Sequence, residues 1–483
     1  MDAIDKVLER FEQISSVPRG TKREQKISQW LQDWAKAHGF SSRTDSTGNL
    51  VIYVPASQGY ENSLTVILQG HMDMVCEKTP DSTHDFTRDP IKVIHDGDWL
   101  KADRTTLGAD NGIGIALSLA LAEDEGASHP PLELLFTVEE EVGIGGASNL
   151  DPSLISGKTM INLDSEEEGS FIVGCAGGKT AFITLPAAKK KLPISDYDVL
   201  RLSVSGLQGG HSGVDISKHR ANANKILARG LDCIMQNVPV HLLALKGGTA
   251  RNAIARDAEV VFACPKEMSA VCRERIAAFE QEARAEYSKS DNGLALLLES
   301  VVGEKEANAI DSTDSLNIVR LLMALPHGVI YMSASVDGFV ETSTNLAVLE
   351  LQDDGLHITT SQRSNVMSRL EEINRRIEAI VKLAGAEVDF TEGYPAWQPD
   401  MNSALLERSV KVYVSLFQKK PEVGIIHAGL ECGIIRDCCG SLDMISFGPT
   451  IKGPHSPDEK LYLPSVDRMW QLLNGLLRSF SDR

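Results

Sequence analysis

Four short aliphatic runs constrain this chain more than any other feature: 48–54 (GNLVIYV), 64–69 (LTVILQ), 131–138 (PLELLFTV) and 159–163 (TMINL). They are apolar almost without alternation, as parallel strands are when both faces of their sheet are covered. Between the second and third lies 111–124 (NGIGIALSLALAED), which reads as a buried helix. Strands alternating with helices specify an α/β fold: a largely parallel mixed sheet sandwiched by helices. Three runs lead directly into chemistry-bearing residues: His71 and Asp73 after 64–69, Glu140 and Glu141 after 131–138, and Asp164 after 159–163. Open α/β sheets carry their sites at the carboxyl ends of their strands.

With 483 residues, the chain exceeds one typical core, so two or more domains are expected. After about residue 185 the pattern changes. A polar junction (KKKLPISDYD) is followed by strand-like runs at 198–205, 239–246 and 257–263 and helices at 217–236 and 267–288. A second set follows: strands near 328–334, 345–352 and 356–362, a helix at 366–384 and a strand at 387–391. TEGYPAWQPD (391–400) has turn chemistry and returns the chain to a helix at 402–417, strands at 422–427 and 443–447, and a last helix at 465–481. If His455 of GPHSPDE joins ligands from the first 165 residues, the catalytic domain is discontinuous, 1–185 with 396–483. Residues 186–395 then form an inserted α+β domain.

The formal net charge of −19 argues against a general nucleic-acid surface. The first segment, MDAIDKVLERFEQI, is an amphipathic helix with acids from residue 2 and no apolar signal region. No stretch approaches the roughly 20 apolar residues that a membrane span needs, so cytosol is the expected location. None of the eight cysteines forms a C-x-x-C pair, and free thiols are expected.

Five residues have metal-ligand chemistry: His71, Asp110, Glu141, Asp164 and His455. Two imidazoles and three carboxylates can hold two divalent metals if one carboxylate is shared. Such a set suits zinc, with cobalt or manganese as alternatives. Asp110, in the Gly-flanked turn of LGADNG, is the best candidate to bridge. His71 and Asp73 form an H-x-D pair in which the carboxylate can accept from the ring nitrogen not used for metal. In the run Glu139-Glu140-Glu141, one carboxylate can ligate while its neighbour serves as a base. GLQGGHSG (206–213) and GGTARNAIAR (247–256) offer His211 and Asn252 as donors to a developing oxyanion. NGIGIA lacks the third glycine of a dinucleotide loop.

The ordered motifs GHMDMV, LGADNGIG, TVEEEVGIGGA, NLDSEEEG, GGHSG, GGTARNAIAR, HAGLECG and GPHSPDE make the chain resemble the co-catalytic zinc peptidases. That family includes carboxypeptidase G, aminoacylase and the carnosinases, and the branch most similar is that of the aminoacyl-histidine dipeptidases. The resemblance implies that His71 and Asp164 bind one metal, Glu141 and His455 the other, and Asp110 both. It implies that Asp73 orients His71, that Glu140 is the general base and acid, and that His211 stabilises the tetrahedral intermediate. Asn252 would contact the substrate carbonyl or carboxylate, and Arg363 would clamp the C-terminal carboxylate. His427 and Glu431 would meet the substrate's other end. The implied activity is hydrolysis of unblocked dipeptides, Xaa-His such as β-Ala-His (carnosine) preferred, by a homodimer in which His211 can serve the partner subunit. An N-acyl amino acid deacylase, a tripeptidase and a catalytically silent binding protein are the competing readings.

Overall fold

A computed structural model describes residues 3–301 and 306–481. Met1 and Asp2, with which the sequence opens the first helix, lie outside the described residues. The chain forms two compact units. The first comprises Met1–Cys175, Trp397–Ile425 and Leu430–Arg483; the second comprises Ala176–Ala396 and Ile426–Gly429.

The first unit is built on an eight-stranded mixed sheet. Its order is Ser41–Thr44, Leu50–Val54, Leu132–Thr137, Val66–His71, Thr159–Asn162, Asp443–Ser446, Ser170–Cys175 and Glu422–Ile426. The four strands from Leu132–Thr137 to Asp443–Ser446 run parallel, and antiparallel pairing flanks them. All six residues of Val66–His71 and all six of Leu132–Thr137 are buried, which is why these runs are apolar without alternation. Helix Ala109–Ala122 is apolar around its whole circumference and buried along nearly its whole length. Ala3–Ser15 and Leu463–Arg478 instead bury one stripe, Val7, Phe11 and Ile14 in the first and Val466, Met469, Leu473 and Leu477 in the second. Together they form one core.

A second, small antiparallel sheet belongs to this unit. Its order is Ile451–Lys452, Lys460–Tyr462, Trp99–Ala102 and Val93–Asp96. Residues 453–459 are the hairpin loop between its first two strands. Pairing of Leu461 with Leu100 fixes where that loop stands.

The second unit carries a nine-stranded sheet in which every pair is antiparallel, with helices Ala223–Met235, Ser269–Glu286, Ser312–Ala324 and Met367–Leu383 sharing its core. Two helices begin on side-chain caps: Asn222 accepts from Asn224 and Lys225 N–H, and Asp311 from Thr313 and Asp314 N–H. Two sets of elements read in series along the sequence are one sheet here. His241–Gly247 and Val340–Leu351 join them through Lys246 opposite Glu350 and Gly247 opposite Leu349. The first crossing between units falls earlier than the expected residue 185, because Gly177–Pro186 pairs along its whole length with Gly355–Ser364. A short return, Ile426–Gly429, was not expected to belong to this unit.

Candidate active site

In the first unit, the strand ends and two loops bring five side chains together. His71 ends the strand Val66–His71 and is 1% exposed. Asp110 opens helix Ala109–Ala122 in an irregular first turn. Gly108 precedes it at φ 70, and the Asp110–Asn111 peptide is cis. The Asn111 side chain donates to Leu163 O at 2.7 Å, which seats this turn beside Asp164. Gly70 makes the arrangement possible: a Cβ there would lie 2.1 Å from Asn111 Oδ1. His455, at φ 60, comes from the 453–459 hairpin.

The contacts divide into two groups that share Asp110. His71 Nε2 lies 3.0 Å from Asp110 Oδ1 and 3.3 Å from Asp164 Oδ1. His455 Nε2 lies 3.1 Å from Asp110 Oδ2 and 3.1 Å from Glu141 Oε2. The ligand atoms of His71, Asp110 and Glu141 also lie within 4.8 Å of one another, which alone would suit one ion. The two oxygens of Asp110 turn to different histidines. A cleft of about 420 Å³ opens against Glu141, lined in part by Arg23, Met74, Cys76 and Phe86.

Asp73 ties the histidine to the acidic turn. It is fully buried and accepts from Glu140 N–H at 3.1 Å and Glu141 N–H at 3.2 Å. His71 Nδ1 faces its backbone oxygen at 3.2 Å and its carboxylate at 3.4 Å. Burial opposes ionisation of Asp73, but the His71 ring and the Glu140 amide outweigh it and hold the carboxyl below its usual range. Glu139 takes φ 52, and its N–H is received by Glu24 at 3.1 Å, so the acidic run is a fixed turn.

The electrostatics are those of crowded carboxylates. Burial, with the neighbouring acids, raises Glu140 well above its ordinary value and pushes Asp164 up to about 6 and Glu166 up to about 8. Hydrogen bonds that His455 donates to Asp110 and Glu141 lift it to about 11. Burial disfavours the His71 imidazolium, yet Asp164 and Asp110 outweigh it and raise that ring well above its ordinary value. Burial likewise works to raise Asp110, but both histidines hold it far below the carboxylate range. Glu141 Oε1 is buried without a hydrogen bond among the described residues, and Asp164 Oδ1, also buried, meets the His71 ring at 3.3 Å. Divalent cations fit this donor set, since they would neutralise the crowded acids and engage those oxygens.

Three features were not legible in the sequence. Arg19, 1% exposed, donates to Met72 O at 3.0 Å and Asp73 O at 2.8 Å, and also to Gly108 O. Glu459, 2% exposed, accepts four successive backbone N–H groups from Leu107 to Asp110. Glu431, expected to hold the substrate's amino group, is instead 1% exposed and accepts from Gln69 Nε2 at 2.6 Å and Thr137 Oγ1 at 2.7 Å. Burial pushes it up to about 8. Both bonds engage one oxygen, Oε2, while Oε1 is buried without a hydrogen bond among the described residues.

The remaining candidates lie in the second unit. Gly210–His211 pairs with Ala253–Ile254 in a two-stranded ribbon, which sets His211 next to Asn252; the Asn252 side chain is exposed. His211 Nδ1 accepts from Gly213 and Val214 N–H, both at 3.3 Å, so its ring proton is on Nε2. Burial, and Arg363 nearby, hold His211 below its usual value. Arg363, 8% exposed, donates to Tyr394 Oη at 2.8 Å, and its Nε has no hydrogen bond among the described residues. His427 Nε2 meets Ser343 Oγ at 2.7 Å. Burial, reinforced by Arg363 and His211, drops His427 to about 3.

The family described as Peptidase family M20/M25/M40 matches residues 67–479. A cytosol non-specific dipeptidase of Escherichia coli (strain K12) is 41% identical over 468 residues, covering 97% of this chain and 96% of its own length. The crystal structure of aminoacylhistidine dipeptidase from Vibrio alginolyticus superposes with a TM-score of 0.91 at 37% identity, covering 99% of this chain and 97% of that one. The aminopeptidase PepT from Bacillus cereus shares the fold, with a TM-score of 0.58 at 16% identity and 99% of each chain covered.

Proposed function

The chain belongs to peptidase family M20/M25/M40, and on that footing we propose that it is a two-metal dipeptidase acting on unblocked dipeptides, with Xaa-His, including β-Ala-His, preferred. One observation carries the reading: Asp110 gives one carboxylate oxygen to His71 and the other to His455. His71 and Asp164 would hold one ion, Glu141 and His455 the other, with Asp110 within reach of both. Bound there, two divalent ions, zinc in the first instance, supply Lewis-acid polarisation of the scissile carbonyl and lower the pKa of the attacking water.

The chain's own residues do the rest. Glu140 takes the proton of the attacking water and returns it to the leaving amine, and burial that raises its carboxyl suits a group that must carry that proton. Asp73 fixes the His71 ring and the turn bearing Glu140. In the second unit, His211 offers its Nε2–H to the developing oxyanion and Asn252 its amide to the substrate carbonyl. Arg363 takes the C-terminal carboxylate, for which its unengaged Nε–H is free, and His427 stays neutral beside it. The name of the 41% identical relative supports work in the cytosol; assembly as a homodimer through the second unit, which the family resemblance implies, is checked by sedimentation.

Steady-state rates with carnosine, other Xaa-His and Xaa-Yaa dipeptides, N-acetylhistidine and a His-containing tripeptide test the assignment in zinc, cobalt and manganese. Fastest turnover of a free dipeptide is expected. N-acetylhistidine or the tripeptide as the best substrate would replace the dipeptidase reading by a deacylase or a tripeptidase. A folded chain that takes up no metal and hydrolyses nothing when zinc is supplied would make it a binding protein.

A further inference from the structure

We infer that Glu459, backed by Arg19, is a positioning residue that joins the loop of the shared ligand Asp110 to the hairpin of His455, and so sets the affinity of the second metal position. The inference rests on the two-metal reading above.

The geometry is specific. Glu459 Oε2 accepts from Leu107 N–H at 2.8 Å and Gly108 N–H at 3.0 Å; Oε1 accepts from Ala109 N–H at 2.8 Å and Asp110 N–H at 3.3 Å. One carboxylate therefore satisfies four consecutive amides, the last belonging to Asp110 itself. A charged acceptor makes stronger hydrogen bonds than a neutral one, and a buried carboxylate needs such donors to stay ionised. Glu459 stands at the end of the 453–459 loop, four residues after His455. Holding it against 107–110 therefore holds the His455 hairpin against the Asp110 turn. Arg19 works from the other side of the same peptide: Gly108 gives its N–H to Glu459 and its carbonyl to Arg19. Arg19 also holds the carbonyls of Met72 and Asp73, which follow His71. There is no space for slack here, since a Cβ on Gly108 or Gly112 would stand 2.6 Å from the Arg19 guanidinium.

The consequence is unequal for the two ions. His71 ends a central strand, and Asp164 lies two residues past its neighbour Thr159–Asn162; Asn111 independently seats Asp110 on Leu163 O. The first position thus has supports that do not involve Glu459. The second depends on His455, whose hairpin is otherwise held at its base, by the pairing of Lys460–Tyr462 with Ile451–Lys452 and Trp99–Ala102 and by Ile451 N–H on Glu166 O at 3.0 Å.

The test is stepwise zinc titration of the metal-free protein against a competing chelator, in wild type, Glu459→Ala and Glu459→Gln, with thermal unfolding of each metal-free chain alongside. In Glu459→Ala the ratio of second-ion to first-ion affinity should fall by about 10–100-fold, while the first ion binds within about threefold of wild type. Glu459→Gln, which keeps one accepting oxygen, should lose a smaller part of that ratio. If Glu459→Ala does not fold, the ratio in Glu459→Gln decides. An unchanged ratio in a folded variant overturns the inference. So does equal loss of both ions in step with the melting temperature, which would mark Glu459 as merely structural. If wild type takes up two ions and the ratio holds, only this inference fails; fewer than two ions on wild type would overturn the two-metal reading and this inference with it.

Discussion

Replacing Asp73 by alanine probes the join between metal ligand and base most directly. The carboxylate is fully buried and receives two amides, those of Glu140 and Glu141, while it faces His71 Nδ1. Each buried N–H left without an acceptor costs about 1–3 kcal/mol, so two set a range of about 2–6 kcal/mol. Glu140 and Glu141 are only half-buried, and water can replace part of what is lost, so we expect the lower end, about 2–3 kcal/mol. Loss of the group that orients a ligand histidine should weaken zinc binding or activity by about 10–100-fold. Asp73→Asn should fall between: one oxygen still accepts, but its amide group opposes one of the two N–H donors. Urea unfolding of the metal-free chain gives the stability change, chelator competition the zinc affinity, and steady-state kinetics the rate. The reasoning is refuted if Asp73→Ala unfolds within about 0.5 kcal/mol of wild type and binds zinc within about twofold.

Glu140→Ala should keep both metals by elemental analysis yet lose about 10²–10⁴-fold in kcat; near-normal turnover would remove Glu140 from the mechanism. Arg363→Ala should raise KM far more than it lowers kcat for dipeptides with a free carboxylate, and should matter little for their C-terminal amides; equal losses for both would refute the clamp. His71 is raised well above its ordinary value and His455 is lifted to about 11 in the metal-free chain, so the protons they hold must leave when they ligate. Zinc binding should therefore release about two protons or more and tighten as pH rises. Calorimetry in buffers of different ionisation enthalpy would contradict this by finding none. His427 is neutral when folded, at about 3 against its ordinary 6.5. The unfolded chain binds the extra proton, so its contribution is complete above about pH 6.5 and is lost as pH falls toward 3. His427→Gln should flatten the fall in unfolding free energy between those limits, and identical slopes would count against it.

What the sequence revealed and what it hid follow from one physical distinction. Val66–His71 and Leu132–Thr137 are covered on both faces, so their residues are mostly apolar, Gln69 and Glu133 excepted, and their ends, where polarity returns, are visible. His71 ends one of these strands and Glu141 follows the other, whereas Asp110 comes from a helix start and His455 from a hairpin loop. Arg19 and Glu459 left no comparable mark, because each is a single ion that satisfies backbone groups far away in the chain. The sequence reads Glu431 as facing substrate because HAGLECG matches the family's motif and a carboxylate there could hold an amino group. Only the fold shows Gln69 and Thr137 meeting its carboxylate. The change of composition at KKKLPISDYD marks a junction near 185, whereas strand Gly177–Pro186, before it, pairs with Gly355–Ser364, a partner that the sequence does not reveal.

Strand Asp443–Ser446 lies between Thr159–Asn162 and Ser170–Cys175, two strands that precede the whole second unit in the chain. During synthesis the first unit must therefore wait. Residues 176–396 emerge with all strands of their own sheet, whereas the first sheet has an open slot in its middle until residue 446 is out. Open strand edges invite pairing with other chains, so a nascent chain halted before this point should aggregate more readily than one halted after it. Light scattering of chains truncated at 440 and at 450 would measure the difference. The strand that fills the slot comes just before His455. The hydrolytic centre can thus be completed only after the sheet beneath it, and a half-made chain would carry no working peptidase.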